Sequence, residues 1–279
     1  MNLTQFGTWI GPLENPDGLT RAAALAEELG FGALWAGGSP RLTSLRPVLA
    51  ATGQIVIATG IVNVWTYQAD QLAEEWAALE AEFPGRLLLG LGIGHPEATA
   101  EYRTPLAKMR EFLDALAGSA HPVPKDRMVL AALGPKMLDL ACERTLGAHP
   151  YFTPPAHTSY ARERLGAGAL IAPEQTVVLG AGADALQAAR SFAGFYLGLN
   201  NYASNLKRFG YSEAELTGGG SDRLVNDLVP QGSAEDAAAA VRAQLSAGAS
   251  HVCVQALRPH VKGSVPEREW RELAAQLIG

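Results

Sequence analysis

The chain is short of cysteine, of clustered basic charge and of long apolar runs, and each shortage removes a class of function. Its 279 residues include 2 cysteines. Cys142 falls in a helical pattern and Cys253 in a strand pattern, and without CxxC spacing they supply neither a disulfide framework nor a zinc site. Two lone thiols fit a reducing compartment and structural burial. Charged residues make up 18%, with 22 Lys+Arg against 28 Asp+Glu for a net charge of −6. The cations are scattered, so no block neutralises a phosphate backbone and nucleic acid is not expected as a partner. No stretch approaches the roughly 18 continuous apolar residues of a membrane span, and residues 1–6 lack a basic segment followed by an apolar run. A soluble, cytoplasmic protein without a membrane partner is expected.

What the chain does contain is apolar content, 48%, enough for one large core, and barrels of roughly 250 residues fold as one domain. Residues 3–10 read as a first strand that leaves into the turn signals Gly11-Pro12 and Asn15-Pro16-Asp17-Gly18. Residues 19–29 then repeat Ala and Leu at helical spacing and stop at Gly30. The unit recurs. Strands are expected at 32–36, 55–62, 86–91, 127–132, 147–152, 176–179 and 250–256, and further helices at 70–83, 136–144, 155–164, 183–197 and 234–247. Several of these strands are apolar on both faces, as in a parallel sheet covered by helices. Eight strands alternating with helices predict an α/β fold, a parallel (β/α)8 barrel of the TIM type spanning residues 1–279 as a single domain.

The structural rival is a doubly wound sheet that uses Gly90-Leu91-Gly92-Ile93-Gly94 as a phosphate turn. Against it, this run sits in the fourth unit and is followed by His95-Pro96 rather than by an immediate helix and a ribose-binding acid. The longest irregular stretch, residues 210–231, reads either as a lid or as a flexible linker.

A barrel of this class places its active site at the C-terminal ends of the strands. Those ends read Gly37-Gly38-Ser39-Pro40 for strand two, Val62-Asn63-Val64-Trp65-Thr66-Tyr67 for three and Gly92-Ile93-Gly94-His95 for four. They continue with Leu133-Gly134-Pro135-Lys136 for five, His149-Pro150-Tyr151-Phe152 for six and Gln255-Ala256-Leu257-Arg258 for eight. Glu97 is the one carboxylate near this rim, so neither a clustered metal-ligand set nor a glycosidase carboxylate pair is supplied. Glycine and tryptophan instead suit close approach of backbone to a planar apolar cofactor. Gly134-Pro135 presents free N–H groups at a helix dipole end, which suits phosphate; an ordinary proline in the first helical turn is the plainer reading.

Taken together, Gly60-Ile61-Val62-Asn63-Val64-Trp65 and the run from Ala81-Glu82-Phe83-Pro84-Gly85-Arg86 to Gly94-His95 resemble the luciferase-like monooxygenase superfamily. Residues 105–113 and 130–137 continue the match, and the resemblance extends over nearly the whole chain. It is nearest the branch that uses the deazaflavin coenzyme F-420, with FMN as the alternative. The resemblance implies a cofactor across the barrel mouth, with Val62 and Asn63 supporting its ring, Trp65 walling the pocket and Gly92 and Gly94 letting backbone approach. Gly134 and Pro135 would seat its phosphate tail, and Gly37, Gly38, Ala132 and Leu133 complete the cofactor-binding set. It implies a bulge at the end of strand three with a non-prolyl cis peptide, matched here by Val62 and Asn63. His95 stands where relatives carry a polar or acidic group facing substrate, a candidate general acid or base, or else a histidine hydrogen-bonded at a strand end. His149 is a second candidate, with a structural role favoured.

Two departures accompany the likeness. Gly37-Gly38-Ser39 stands where relatives often carry an acid–histidine pair, and the insertion between strands four and five is trimmed to a short link around residues 118–126. An oxidoreductase acting by hydride transfer on a small organic substrate is therefore expected, as a homodimer by analogy. An FMN-dependent monooxygenase and a barrel that binds cofactor without turnover remain open.

Overall fold

A computed structural model describes residues 1, 3–15, 17–95 and 104–279. Pro96 and Glu97 lie outside the described residues, as does Pro16 of the first turn. The chain runs β1 (Phe6–Ile10), α1 (Gly18–Glu28), β2 (Ala33–Ala36), α2 (Arg46–Ala50), β3 (Val56–Thr59), β4 (Val62–Asn63), α3 (Ala69–Glu82), β5 (Leu87–Gly92) and α4 (Pro105–Gly118). It continues β6 (Met128–Leu130), α5 (Pro135–Arg144), β7 (Gly147–Ala148), α6 (Pro155–Leu165), β8 (Leu170–Ile171), β9 (Glu174–Leu179) and α7 (Ala183–Leu197). Then follow α8 (Asn200–Arg208), α9 (Asp222–Leu228), β10 (Gln231–Gly232), α10 (Ala234–Ser246), β11 (Val252–Leu257) and α11 (Glu267–Leu277).

All named strand pairs are parallel, in the order β10-β9-β11-β1-β2-β3-β5-β6-β7-β8. β10 only flanks β9, and without it the two ends of this order, β9 and β8, are one segment. Leu170–Ile171 pairs with β7, Glu174–Leu179 pairs with β11, and Ala172-Pro173 joins them. Proline has no N–H to donate, so the ladder changes partners there. The result is a closed (β/α)8 barrel whose seventh strand is β8 and β9 together and whose eighth is β11.

Side chains alternate with period two, as a covered parallel sheet requires. Ala33 and Trp35, Val56 and Ala58, Leu88, Val129 and Cys253 fill the barrel interior. Leu34, Ala36, Ile57, Leu87 and Leu89 pack outward against the helices. The interior is crowded enough that backbone fills part of it: a side chain on Gly90 would begin 2.0 Å from the Thr59 carbonyl oxygen.

Strand three carries one extra residue. Ile57 pairs with Leu87 but Val62 pairs with Leu91, five steps against four. The Thr59 hydroxyl bridges the interruption, accepting from Gly90 N and donating to Gly90 O, both at 2.9 Å. A bulge is thus present where the family resemblance implies one, but its cis peptide joins Gly60 and Ile61, not Val62 and Asn63. Val62 and Asn63 are in regular register with Leu91 and Gly92, so the irregular backbone must fall before them.

The link between the fourth and fifth strands runs from residue 93 to 127 and holds α4 and one 3-10 turn among its described residues. Three helices follow the seventh strand. There α7, α8 and α9 pack on one another around Ala189, Ala193, Leu206, Leu224 and Val225. The stretch 210–231, read from sequence as irregular, contains α9, whose Ser221 cap accepts from Leu224 N at 3.2 Å. It is a packed layer and not a plain linker. Among the described residues, no helix is long and apolar enough to cross a membrane.

The sharpest packing prediction falls on Gly90. Gly90→Ala is expected to lower stability by about 2–4 kcal/mol through overpacking against Thr59, read as a reduced urea midpoint; an unchanged midpoint contradicts the interior described.

Candidate functional site

All eight strands point the same way, so their C-terminal ends form one mouth. At the end of strand three, Asn63 N donates to Ser39 Oγ at 2.9 Å, tying strands two and three together. Asn63 Oδ1 accepts from Trp65 N at 3.1 Å, and Trp65 Nε1 donates to Ile93 O at 2.9 Å. Strand four is thereby fixed to strand three. Lys108 lies 5.5 Å from the Trp65 ring centre. The glycines of this rim face the chain itself. A side chain on Gly92 would meet Ile61 at 2.5 Å, and one on Gly94, at φ 66°, would meet Asn63 Nδ2 at 2.9 Å.

Trp9 fills the room left by the strand-two glycines. Its indole would lie 2.4 Å from a side chain at Gly37 and 2.5 Å from one at Gly60. Tyr151 packs on it with ring centres 5.3 Å apart. Tyr196 of α7 and Tyr202 of α8 continue the cluster at 5.1 and 6.4 Å from Tyr151, and Phe152 joins at 5.2 Å from Tyr196. Within it Tyr196 donates to the Tyr151 hydroxyl at 3.1 Å, and Tyr151 donates to Gln255 Oε1 at 2.6 Å.

α8 crosses the ends of strands four and five. His95 Nδ1 donates to Asn201 Oδ1 at 3.2 Å, which leaves Nε2 as the acceptor. One turn on, Asn205 is buried, and neither its side-chain oxygen nor its nitrogen has a partner among the described residues. Arg208 then brings a guanidinium nitrogen to 3.2 Å from where a Gly134 side chain would begin. Spacings of four and three put these residues on one helix face. Gly134 caps α5 with Pro135 in its first turn, so free amides and a cation meet there. Ala132 is buried, while the Leu133 carbonyl accepts from His157 Nε2 at 3.0 Å, leaving His157 Nδ1 buried and unpartnered.

His149 points into the barrel. It stacks on Trp35 at 4.2 Å, and Nδ1 donates to Ala172 O at 2.7 Å. Burial pushes its pKa down to about 4, against the pull of that carbonyl, so it is neutral and its Nε2 has no partner. The candidate role as acid or base gives way to packing beneath the mouth.

A family model described as luciferase-like monooxygenase matches residues 1–259. The chain belongs to the luciferase-like monooxygenase family. It is 29% identical over 133 residues to the N-acetyl-S-alkylcysteine monooxygenase of Bacillus subtilis, a match covering 42% of this chain and 40% of that enzyme. The chain therefore aligns with about two fifths of that relative's length. Among solved structures, an F-420-dependent secondary alcohol dehydrogenase in complex with an F-420–acetone adduct superposes with TM-score 0.72 at 15% identity, covering 98% of this chain and 99% of that one. The FMN-bound oxygenating constituent of 3,6-diketocamphane monooxygenase from Pseudomonas putida superposes with TM-score 0.69 at 16% identity, covering 98% of each. These share the fold.

Of the residues expected from sequence, Asn63, Trp65, Gly92, Gly94 and His95 come together on the strand-three and strand-four side, and Ala132, Leu133, Gly134 and Pro135 adjoin them. Gly37, Gly38 and Val62 form the supporting wall. Missed were Asn201, Tyr202, Asn205 and Arg208: residues 200–208 are mostly polar and begin with Asn200-Asn201, which reads as a loop, although Tyr202, Ala203 and Leu206 recur at helical spacing. Also missed was a carboxyl group. Glu174 is buried in β9, bonded to the Thr176 hydroxyl, with Oε2 unpartnered. It precedes the apolar run that signals the strand, which hides it from a search of strand C-terminal ends.

The buried ionisable groups predict opposite pH slopes. His149, His157 and His251 have pKa values lowered to about 4 by burial from an ordinary 6.5. The stability they contribute is present above 6.5 and lost as pH falls toward 4. Each steepens the loss by up to about 1.4 kcal/mol per pH unit. A melting temperature flat between pH 7 and 4.5 would contradict this. Glu174 is raised to about 8 by burial, from 4.5. Its contribution is present below 4.5 and lost as pH rises through 8, so Glu174→Gln is expected to gain stability relative to the parent over that range, measured by urea denaturation at pH 5 and 8.5.

Proposed function

We propose that this luciferase-like barrel binds a flavin-type redox cofactor, the deazaflavin coenzyme F-420 first and FMN as the alternative, and exchanges a hydride with a small organic substrate. The observation that carries the reading is the junction of α5 and α8. Arg208, with no hydrogen bond or ion pair among the described residues, reaches the amino end of a ten-residue helix at Gly134. Helix dipole, free amides and guanidinium together suit a phosphate. The unpartnered Asn205 amide and His157 Nδ1 nearby are buried polar atoms that a polar ligand could satisfy.

The residues present fit such a cofactor. Gly134, Pro135 and Arg208 would hold its phosphate. Asn63, Trp65, Gly92 and Gly94 would border its ring, with Gly37, Gly38 and Val62 as the wall behind them and Ala132 and Leu133 leading toward the phosphate. When bound, the cofactor supplies the hydride chemistry. The protein excludes water with the Trp9–Tyr151–Tyr196–Tyr202 cluster and holds a proton-exchanging group at His95 Nε2. Asn201 fixes the His95 tautomer and is a positioning residue.

A second reading, FMN-dependent monooxygenation, is favoured by the monooxygenase match in Bacillus subtilis. Gly37-Gly38-Ser39 in place of an acid–histidine pair keeps a third, cofactor binding without turnover. Ser39 Oγ there is occupied by the Asn63 amide. Solution assembly as a homodimer and a cytoplasmic location belong to the same proposal.

Titrations of the purified protein with F-420 and with FMN separate the readings. Tight F-420 binding with weak FMN binding is expected, and the reverse rejects the deazaflavin assignment. Arg208→Ala is expected to weaken cofactor about 10- to 100-fold, the loss of one charge-assisted contact. His95→Ala should leave affinity in place and slow single-turnover hydride transfer about 100-fold or more; an unchanged rate removes His95 from the chemistry.

A further inference from the structure

A cleft of about 1010 Å³ opens at the mouth, and its Tyr196 lies 5.2 Å from Tyr202, whose ring centre is 5.4 Å from that of His95. It lies over the ends of strands one and eight, and in an eight-stranded ring those face strands four and five. Its floor is Trp9, Tyr196 and Gln255, and its wall is α7 with Phe192 and Phe195. Phe195 is 66% exposed and Val261 44%, two of the four large exposed hydrophobic side chains among the described residues, and both line this cleft.

The floor is polar at one point. Gln255 Oε1 is taken by the Tyr151 hydroxyl, while its Nε2 amino group makes no hydrogen bond among the described residues. The rim carries five charged or titratable groups with different engagements. Arg258 donates to Ser264 O at 2.9 Å, His260 lies 3.7 Å from Asp184, and Glu14 packs over Gly263. Lys262 has no hydrogen bond or ion pair among the described residues.

We propose that this cleft holds the non-reacting body of the substrate, an elongated or planar apolar organic anion whose reacting end is directed past Tyr196 and Tyr202 toward His95. The apolar body lies along Phe192, Phe195 and Tyr196, an acceptor oxygen meets the Gln255 amino group, and the anionic end meets Lys262. Continuity supports the assignment, because Trp9 and Tyr196 belong both to the cleft and to the aromatic cluster that closes the mouth. Apolar pockets with a few placed polar groups are the usual form of small-molecule sites. The inference rests on the mouth being a redox site, but the cleft itself is testable without cofactor.

The probe is 1-anilinonaphthalene-8-sulfonate, an aromatic body with one fixed anion, compared with its uncharged relative N-phenyl-1-naphthylamine. One sulfonate probe per chain is expected, with Phe195→Ser weakening both dyes by about tenfold and Lys262→Glu weakening the sulfonate alone. Both side chains are exposed, and an unchanged melting temperature confirms that each variant folds. Several equivalent sites per chain, or sulfonate affinity indifferent to both changes, overturns the proposal. So does sedimentation showing that Phe195→Ser dissociates a dimer, which would make the wall a subunit contact. If neither F-420 nor FMN binds while the dyes keep their dependence on Phe195 and Lys262, the cofactor reading fails and the cleft stands.

Discussion

Closure of a parallel ring is the constraint on which the rest depends. A strand with unpaired edges would leave a row of N–H and C=O groups exposed, and here the seventh strand removes that edge by serving two neighbours in succession. Pro173 marks the exchange. Once the ring is closed with every strand parallel, all strand ends converge on one face. Residues as distant in sequence as Trp9, Asn63, His95, Tyr151 and Gln255 become neighbours without any local preference for one another.

The interior that closure creates also buries polar groups, and each is handled separately. His251 donates to Thr4 O and accepts from Trp35 Nε1, so it is satisfied as a neutral ring. His149 and Glu174 are each left with one unpartnered atom beneath the mouth. Burial keeps both uncharged near neutral pH, His149 by lowering its pKa and Glu174 by raising it. The floor of the site is therefore a low-charge surface, which suits a neutral ring system better than a metal ion or a sugar. Its opposite face is fixed by Arg86, whose guanidinium donates to the carbonyls of Leu49, Thr52 and Ile55. This part of the resemblance is thus structural, at the end of the barrel away from the mouth.

Most of the barrel was legible in the sequence because buried parallel strands are apolar on both faces and helices repeat at 3.6 residues. The helix at 183–197 is found with the boundaries expected, and α1, α3, α5, α6 and α10 agree within one or two residues. Short elements were not legible. β8 has two residues, too few for a periodic signal, and α8 is rich in Asn, so its one apolar stripe of Tyr202, Ala203 and Leu206 is short and easily read as a loop. The missed α8 matters most, since it brings Asn201 to His95 and Arg208 to Gly134. Those contacts join positions separated by 106 and 74 residues, and no local spacing encodes them.

The amino-acid sequence determined the alternation of strand and helix, the glycine- and aromatic-rich strand ends and the family to which they belong. It did so because periodicity and strand-end composition are local properties. Tertiary structure alone decided that the strand-three bulge falls at Thr59–Ile61 and that Trp9 takes the space beside Gly37. It also decided that a buried carboxyl group stands at Glu174 and that α8 lies across strands four and five. Each follows from register or from packing between segments far apart in the chain, which become defined only when the ring closes.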